Sequence, residues 1–352
     1  SVLPWPIRGL LRRLVCLLPW CLASQPLLAV ETLRILTWPG YADSDLVQEF
    51  AERYGVKVDV SLVSSDDSLR EKLSANRGGN YDVFAANTAE IQYYIEQQLV
   101  QPLQANDMPN TKRQLWRFRN LQSIPGITQG TGTYAIPYTY AEMGLIYDRQ
   151  QFPVPPDSLA SLWDPQYRGR VLAYDGSSHN YSIARLLQGG APFQIADQDF
   201  PAVSAKLIEL RRNVLTFYSL PEESVSLFRE HKIALLYANY GRQQLKLLQD
   251  AGADVGYVIP KEGALAWLDC WAISRGAKNP QLAQHWINFT LEPRISKELS
   301  RRQGLANTLE APAESSNLDK IVWLEPVEDA ARRTSLWTRI RSGDSLPALD
   351  TP

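Results

Sequence analysis

The stretch Thr32-Leu33-Arg34-Ile35-Leu36-Thr37-Trp38-Pro39-Gly40-Tyr41, with Leu46, Phe50 and Tyr54 at helical spacing behind it, decides the fold. Strand-forming residues run from 32 to 38 and stop at Pro39-Gly40, a turn dipeptide. Asp45 with Gln48 three residues on resembles a capping box, so a helix should follow. The pattern then repeats. Residues 56–63 alternate as a strand, and Asp66-Asp67-Ser68 opens a helix running through Leu73. Residues 81–85 form a short apolar strand, and Thr88 is expected to cap a helix over 89–99. Three rounds of strand and helix imply an α/β fold, a sheet covered by helices.

Outward from this core the alternation continues. Residues 134–147, largely uncharged apart from Glu142, are long for one strand and should leave a first domain and enter a second. Strands are expected at 171–175 and 233–237, and two more within 255–273 around Pro260-Lys261-Glu262-Gly263. Helices are expected at 158–163, 180–187, 200–213, 224–230, 281–290, 293–303 and 329–340. Sheets of this kind bind ligands at the carboxyl ends of their strands. That rule selects six loci: 38–41, 87–88, 140–142, 175–179, 237–239 and 267–269.

The chain's 352 residues suit two domains. With 45% apolar and 21% charged residues it is not generally disordered, and a formal charge of −2 gives no footprint for nucleic acid. Residues 1–29 differ from the rest: three Arg (Arg8, Arg12, Arg13), no acid, and an apolar run over 14–23. They read as a secretory signal cleaved after Ala29, with Ala23 as the alternative site. The run is short for a bilayer and Pro19 interrupts it, although an uncleaved anchor is a competing reading. Removing it takes three of 36 basic residues and none of the 38 acidic ones, leaving −5. The mature part is expected to be soluble, periplasmic and monomeric, without a cofactor and without stable membrane insertion. Its single Cys270 should be a packing residue.

Ala266-Trp267-Leu268-Asp269-Cys270-Trp271-Ala272-Ile273 is the most informative segment for chemistry. Alternation puts Trp267, Asp269 and Trp271 on one face, with neighbours about 7 Å apart. A carboxylate between two indoles is costly to bury unless a cation answers it, and aromatic faces favour the same cation. A structural Asp accepting backbone N–H bonds is the alternative. Trp38 and Tyr41, Tyr138 and Tyr140, and Tyr237 and Tyr240 around Asn239 put further aromatics at the selected loci.

The order of Leu36-Thr37-Trp38-Pro39-Gly40-Tyr41, Asn80-Tyr81-Asp82-Val83, Ala135-Ile136-Pro137-Tyr138, Ser161-Leu162-Trp163-Asp164-Pro165-Gln166-Tyr167-Arg168-Gly169 and Trp267-Leu268-Asp269 resembles the spermidine/putrescine-binding family. These are the periplasmic solute-binding proteins of polyamine ABC transporters. The resemblance implies a two-lobed periplasmic-binding-protein fold of type II, each lobe a mixed sheet flanked by helices. A small cationic ligand would lie in the cleft, and permease subunits would be the partners. The lobes would divide the chain as 30–138 (first), 139–257 (second), 258–303 (return to the first) and 304–345 (second, with the C-terminal helix), leaving 346–352 as a tail.

At matching positions the resemblance assigns Trp38 and Tyr41 to an aromatic pair, Asn87 to a small polar contact, and Tyr237 to an aromatic wall. Trp267 would stack on the ligand and Asp269 would pair with an amine. Asp175 is retained from the family's second acidic cluster, but Gly176 and His179 stand where acids belong, and Leu305 replaces a tyrosine. An extended polyamine needs a carboxylate for each end. Glu142 could supply the second, or could instead be bridged to a nearby Arg. His179 would offer a hydrogen bond to a non-cationic group. Two other functions compete: an extracytoplasmic sensor for a different small amine or amino-acid derivative, and a bilobal thiol enzyme using Cys270. Against the latter, alternation turns Cys270 away from the Trp267 and Asp269 face.

Overall fold

The expected strand–helix rounds build the first half of the chain. The computed structural model describes residues 28–311 and 318–349. In chain order it runs β1 (Thr32–Thr37), α1 (Ser44–Tyr54), β2 (Lys57–Leu62), α2 (Asp66–Ser74), β3 (Val83–Asn87) and α3 (Thr88–Glu96). Then α4 (Trp116–Arg119) and a small hairpin, β4 (Thr128–Gln129) with β5 (Gly132–Thr133), lead to β6 (Ile136–Glu142) and β7 (Leu145–Asp148). Next come β8 (Val171–Tyr174), α5 (Ser177–Leu187), α6 (Phe200–Asn213), β9 (Thr216–Tyr218) and α7 (Pro221–Glu230). β10 (Leu235–Tyr237), α8 (Arg242–Asp250), β11 (Val255–Val258) and β12 (Ala264–Ile273) follow. α9 (Pro280–Thr290), α10 (Pro293–Gln303), β13 (Ala306–Asn307), β14 (Ile321–Trp323), α11 (Ala330–Arg341) and α12 (Leu346–Leu349) complete it.

Two of the expected caps differ. Asn87, not Thr88, caps α3: its side chain accepts from Glu90 N at 3.0 Å. Only the residue just outside the first turn can aim its side chain back at the free N–H groups. Ser65 caps α2 in the same way, accepting from Ser68 N at 3.1 Å. α1 starts behind Asp43 without a side-chain cap, and Asp43 and Asp45 pair with Arg302 at 2.9 and 2.7 Å instead of forming a capping box.

Apart from the β4–β5 hairpin, the described strands form two sheets. The larger has the order β13-β6-β12-β3-β1-β2, with β14 also paired to β12; the smaller has β11-β7-β10-β8-β9. β1 is parallel to β2 and β3, whereas β12 runs antiparallel to β3 and β6, so the sheet is mixed. The long uncharged segment is two strands, one in each sheet: β6 ends at Glu142 and β7 begins at Leu145. The chain crosses back between Val258 and Ala264. Pairing departs from the expected division in one place. Strands β13 and β14, within 304–345, belong to the larger sheet, while α11 in the same stretch packs on α5 and α6 beside the smaller one. A two- or three-residue strand has too little pattern for sequence to assign it to a sheet.

Alternation along β12 holds as expected. Leu268, Cys270 and Ala272 enter the core on one face, while Trp271 and Ile273 enter the core on the other. The register against β6 slips between Asp269 and Cys270, opposite Pro137-Tyr138-Thr139, where a proline is tolerated at a bulge. The described residues from Glu31 onward form one unit by their internal contacts. The expected export signal falls largely on 1–27, outside the described residues. No helix among the described residues is long and apolar enough to cross a membrane.

Near the crossing, Gly241 takes φ +58 and ψ −131, a conformation essentially confined to glycine. A Cβ there would stand 2.7 Å from the Glu142 carbonyl oxygen. We expect Gly241→Ala to destabilise the protein by about 1–3 kcal/mol, measured as a lower denaturant midpoint with an unchanged slope.

Candidate ligand-binding site

A cavity of about 380 Å³ opens between the two sheets, within the size range of small-molecule sites. The larger sheet contributes through its strand ends and the turns that follow them. After β1, Trp38-Pro39-Gly40-Tyr41 closes a turn, with Tyr41 N donating to Trp38 O at 3.1 Å. Gly40 sits at φ +91 in this turn, with Pro39 before it, the arrangement of a type II turn. The turn places both aromatics on the cavity. Trp38 is locked by its indole N–H donating to Ala85 O at 3.0 Å, and Tyr41 packs edge-on against Tyr138 and Trp271.

Asp269 lies on β12 with 7% of its surface exposed. Its carboxylate accepts the Tyr41 hydroxyl at 2.5 Å. Burial pushes the Asp269 carboxyl up to about 7, and the Tyr41 bond pulls the other way. The Tyr41 phenol is itself raised, first by burial and then by the adjacent Asp269 charge. Tyr41→Phe keeps the ring but removes this donor. Amine affinity should then fall by about 1.5–3 kcal/mol, read by calorimetry at pH 7.5, while the Asp269 carboxyl titrates higher still.

Beside Asp269, Asn87 is its direct partner across the β3–β12 ladder. Asn87 Nδ2 donates to Asp66 Oδ2 at 3.2 Å, so the α3 cap also holds an acid at the head of α2. The Asp66 carboxyl is pushed up to about 7 by burial, then by the negative charges of Glu90 and Asp269. Glu90 is itself bonded to Arg70 at 2.6 and 2.9 Å.

The smaller sheet supplies the opposite wall: Tyr174, His179, Asn239 and Tyr240, with Leu220 and Glu222 also lining the cavity. His179 Nδ1 lies 2.7 Å from Asn239 Oδ1, and burial lowers its pKa, so the ring is neutral at pH 7. The Tyr240 hydroxyl donates to Ser219 O at 2.6 Å. Two bonds link the walls: Trp267 Nε1 donates to Asn239 O at 3.3 Å, and Gln243 Nε2 to Gln303 Oε1 at 3.5 Å.

Of the eight residues expected from sequence, the cavity collects Trp38, Tyr41, Asn87, Trp267 and Asp269. Glu142, Asp175 and Tyr237 are elsewhere. Glu142 is buried at the crossing and bridged to Arg242 at 3.3 Å, which realises the alternative reading. Asp175 follows Tyr174, which faces the cavity; strand alternation turns the acid towards α11, where it accepts from Trp337 Nε1 at 2.9 Å and pairs with Arg341 at 2.9 Å. Tyr237 points into the core beside the smaller sheet, and the aromatic wall comes from Tyr240 and Tyr174 instead. Trp271 is wholly buried behind Tyr41. Cys270 is buried on the opposite face of β12, and burial raises its thiol pKa well above the ordinary value.

The sequence reading passed over Asp66. It ends the connection after β2, so the strand-end rule applies to it as to the other loci. Glu222, Gln243 and Gln303 lie on helices or at their ends and carry no comparable signal. Among the described residues, no cluster of His, Cys, Asp and Glu is placed to hold a metal ion.

Two mixed α/β lobes joined by chain crossings, with a cavity between them lined from both sides, define a two-lobed binding protein of the periplasmic type. The chain belongs to the bacterial extracellular solute-binding protein family, whose model matches residues 45–322. It is 25% identical over 277 residues to the spermidine/putrescine-binding periplasmic protein of Escherichia coli K12, covering 78% of this chain and 76% of that protein. Among solved structures, the TpPotD lipoprotein of Treponema pallidum superposes with a TM-score of 0.76 at 18% identity, covering 89% of this chain and all of the other. The spermidine/putrescine ABC transporter substrate-binding protein PotD of Streptococcus pneumoniae gives 0.73 at 20% identity, covering 89% and 99%.

Proposed function

We propose that this chain is the solute-binding component of an ABC importer and captures a small organic amine of the putrescine or spermidine class. The observation that carries the reading is the cavity's electrostatics. Three carboxylates (Asp66, Glu222 and Asp269) line it, and among the described lining residues none is Lys or Arg. Aromatic rings of Trp38, Tyr41, Trp267, Tyr174 and Tyr240 form much of the rest. Such a site attracts an ammonium by charge and by ring faces, and its apolar surface covers an alkyl chain. The relatives, periplasmic proteins named for binding spermidine and putrescine, agree with it, as does the match to an extracellular solute-binding family.

In this reading Asp269 pairs with an ammonium, Trp38 and Trp267 stack on the chain, and Asn87 holds Asp66 in place. The ligand touches both walls and so favours the closed arrangement by its differential affinity. Export through the basic, apolar N-terminal stretch would deliver a monomeric protein to the periplasm, where it meets the permease. A calorimetric panel of putrescine, spermidine, agmatine, amino acids and neutral sugars tests the reading. Saturable binding of amines alone is expected; binding confined to a neutral or anionic solute would sink it.

A further inference from the structure

We propose that Asp66, held by Asn87, is a second cation subsite on the same lobe as Asp269, so that the cleft selects amines with two positive charges over equally long amines with one. The inference, which rests on the amine reading above, starts from the β3–β12 ladder. Asn87 and Asp269 are direct partners there, and such partners place their Cβ atoms about 4.5–5.5 Å apart on one face. From that position Asn87 Nδ2 reaches Asp66 at 3.2 Å. Two carboxylates therefore flank one amide on one wall of one cavity.

Among the described residues Asp66 makes no ion pair, although the Arg70 charge acts on it and opposes the rise of its carboxyl. Arg70, the nearest, is committed to Glu90 through two bonds and lies over the Tyr93 ring at 3.9 Å. The remaining groups facing Asp66 are the carboxylates of Glu90 and Asp269, with Tyr94 and Tyr174 also within its electrostatic reach. None supplies a positive charge. The opposite wall presents the neutral His179 and Asn239 and the Glu222 carboxylate, again with no positive charge. Two neighbouring carboxylates, Asp269 buried and Asp66 half-buried, repel one another, and an arriving dication relieves both. A monoamine relieves only one and leaves the other protonated or unpaired. Burial raises both carboxyls before ligand arrives, and at Asp66 the Glu90 and Asp269 charges add to the rise.

Putrescine and n-pentylamine have the same length and differ in one terminal ammonium, so their affinity ratio reads the second subsite. At pH 8 the wild-type protein should favour putrescine by about 100-fold. Asp66→Asn, nearly isosteric, should reduce that preference to less than about fivefold while leaving n-pentylamine affinity within a factor of about three. Asp269→Asn should weaken both ligands. A second measurement needs no variant: the wild-type ratio should shrink towards one as pH falls from 8 to 5 and Asp66 is protonated. A preference that survives Asp66→Asn in protein with a normal thermal transition, or a wild-type ratio flat with pH, overturns the second subsite and leaves the amine reading standing. Wild-type protein that binds neither amine overturns the amine reading, and the subsite with it.

Discussion

Asp269→Asn should remove most amine affinity and at the same time make the unliganded protein more stable above pH 7. Asp269 is only 7% exposed, and among the described residues its side-chain partner is the Tyr41 hydroxyl. Truncating one partner of a desolvated charge pair costs about 2–5 kcal/mol, which is about 30-fold to several thousand-fold in affinity. Asparagine preserves the shape and can still accept from Tyr41, so the loss reports charge and not packing. The stability effect has the opposite sign. Ionising a buried acid whose carboxyl sits at about 7 opposes folding, and asparagine removes that cost, on the order of 2–4 kcal/mol above pH 7. Calorimetry for affinity and thermal melts at pH 8 separate the two effects. Undiminished affinity in the variant would exclude Asp269 as the ammonium partner.

Amine affinity should rise steeply with pH, and unliganded stability should fall over the same range. Asp66 and Asp269 both have carboxyls raised to about 7, against about 3.9 in an unfolded chain. The folded protein therefore holds protons that the unfolded chain has released between about pH 4 and 7. Stability from these two groups is full below pH 4 and is lost as pH rises through 7. An ammonium binds the ionised form, so capture releases protons. For one group titrating at about 7, affinity grows nearly 100-fold from pH 5 to pH 8, with a steeper rise if both titrate. The thermal shift produced by saturating putrescine should grow in step. Calorimetry in buffers of different ionisation enthalpy counts the protons directly. A flat profile with no proton exchanged would show that both acids are already ionised before the amine arrives.

Much of this site can be read from the chain because local rules place it. A strand ending in Pro39-Gly40 needs a turn, and the turn presents Trp38 and Tyr41 on one side. Period-two alternation fixes Trp267 and Asp269 on the opposite face from Cys270, whatever the rest of the fold does. The strand-end rule alone misplaces Asp175: it shares a locus with His179, but alternation past Tyr174 turns it to Trp337 and Arg341, which come from α11 far along the chain. Glu142 fails for a related reason. Its neighbour Arg242 is 100 residues away, and only the crossing between sheets brings the two together. Asp66 was legible as a helix opener, and its role in the cavity depends on Asn87 reaching across from another strand end.

By itself, then, the sequence determined the elements, their alternating order, the aromatic turn after β1 and the face of β12 that carries Asp269, because each depends on residues within one or two turns or pleats of one another. The tertiary structure alone decided which acids share the cavity. A carboxylate is set by what lies within a few ångströms of it, and here those neighbours arrive from separate strands and helices: Asn87 beside Asp66 and Asp269, Arg242 beside Glu142, and Trp337 beside Asp175.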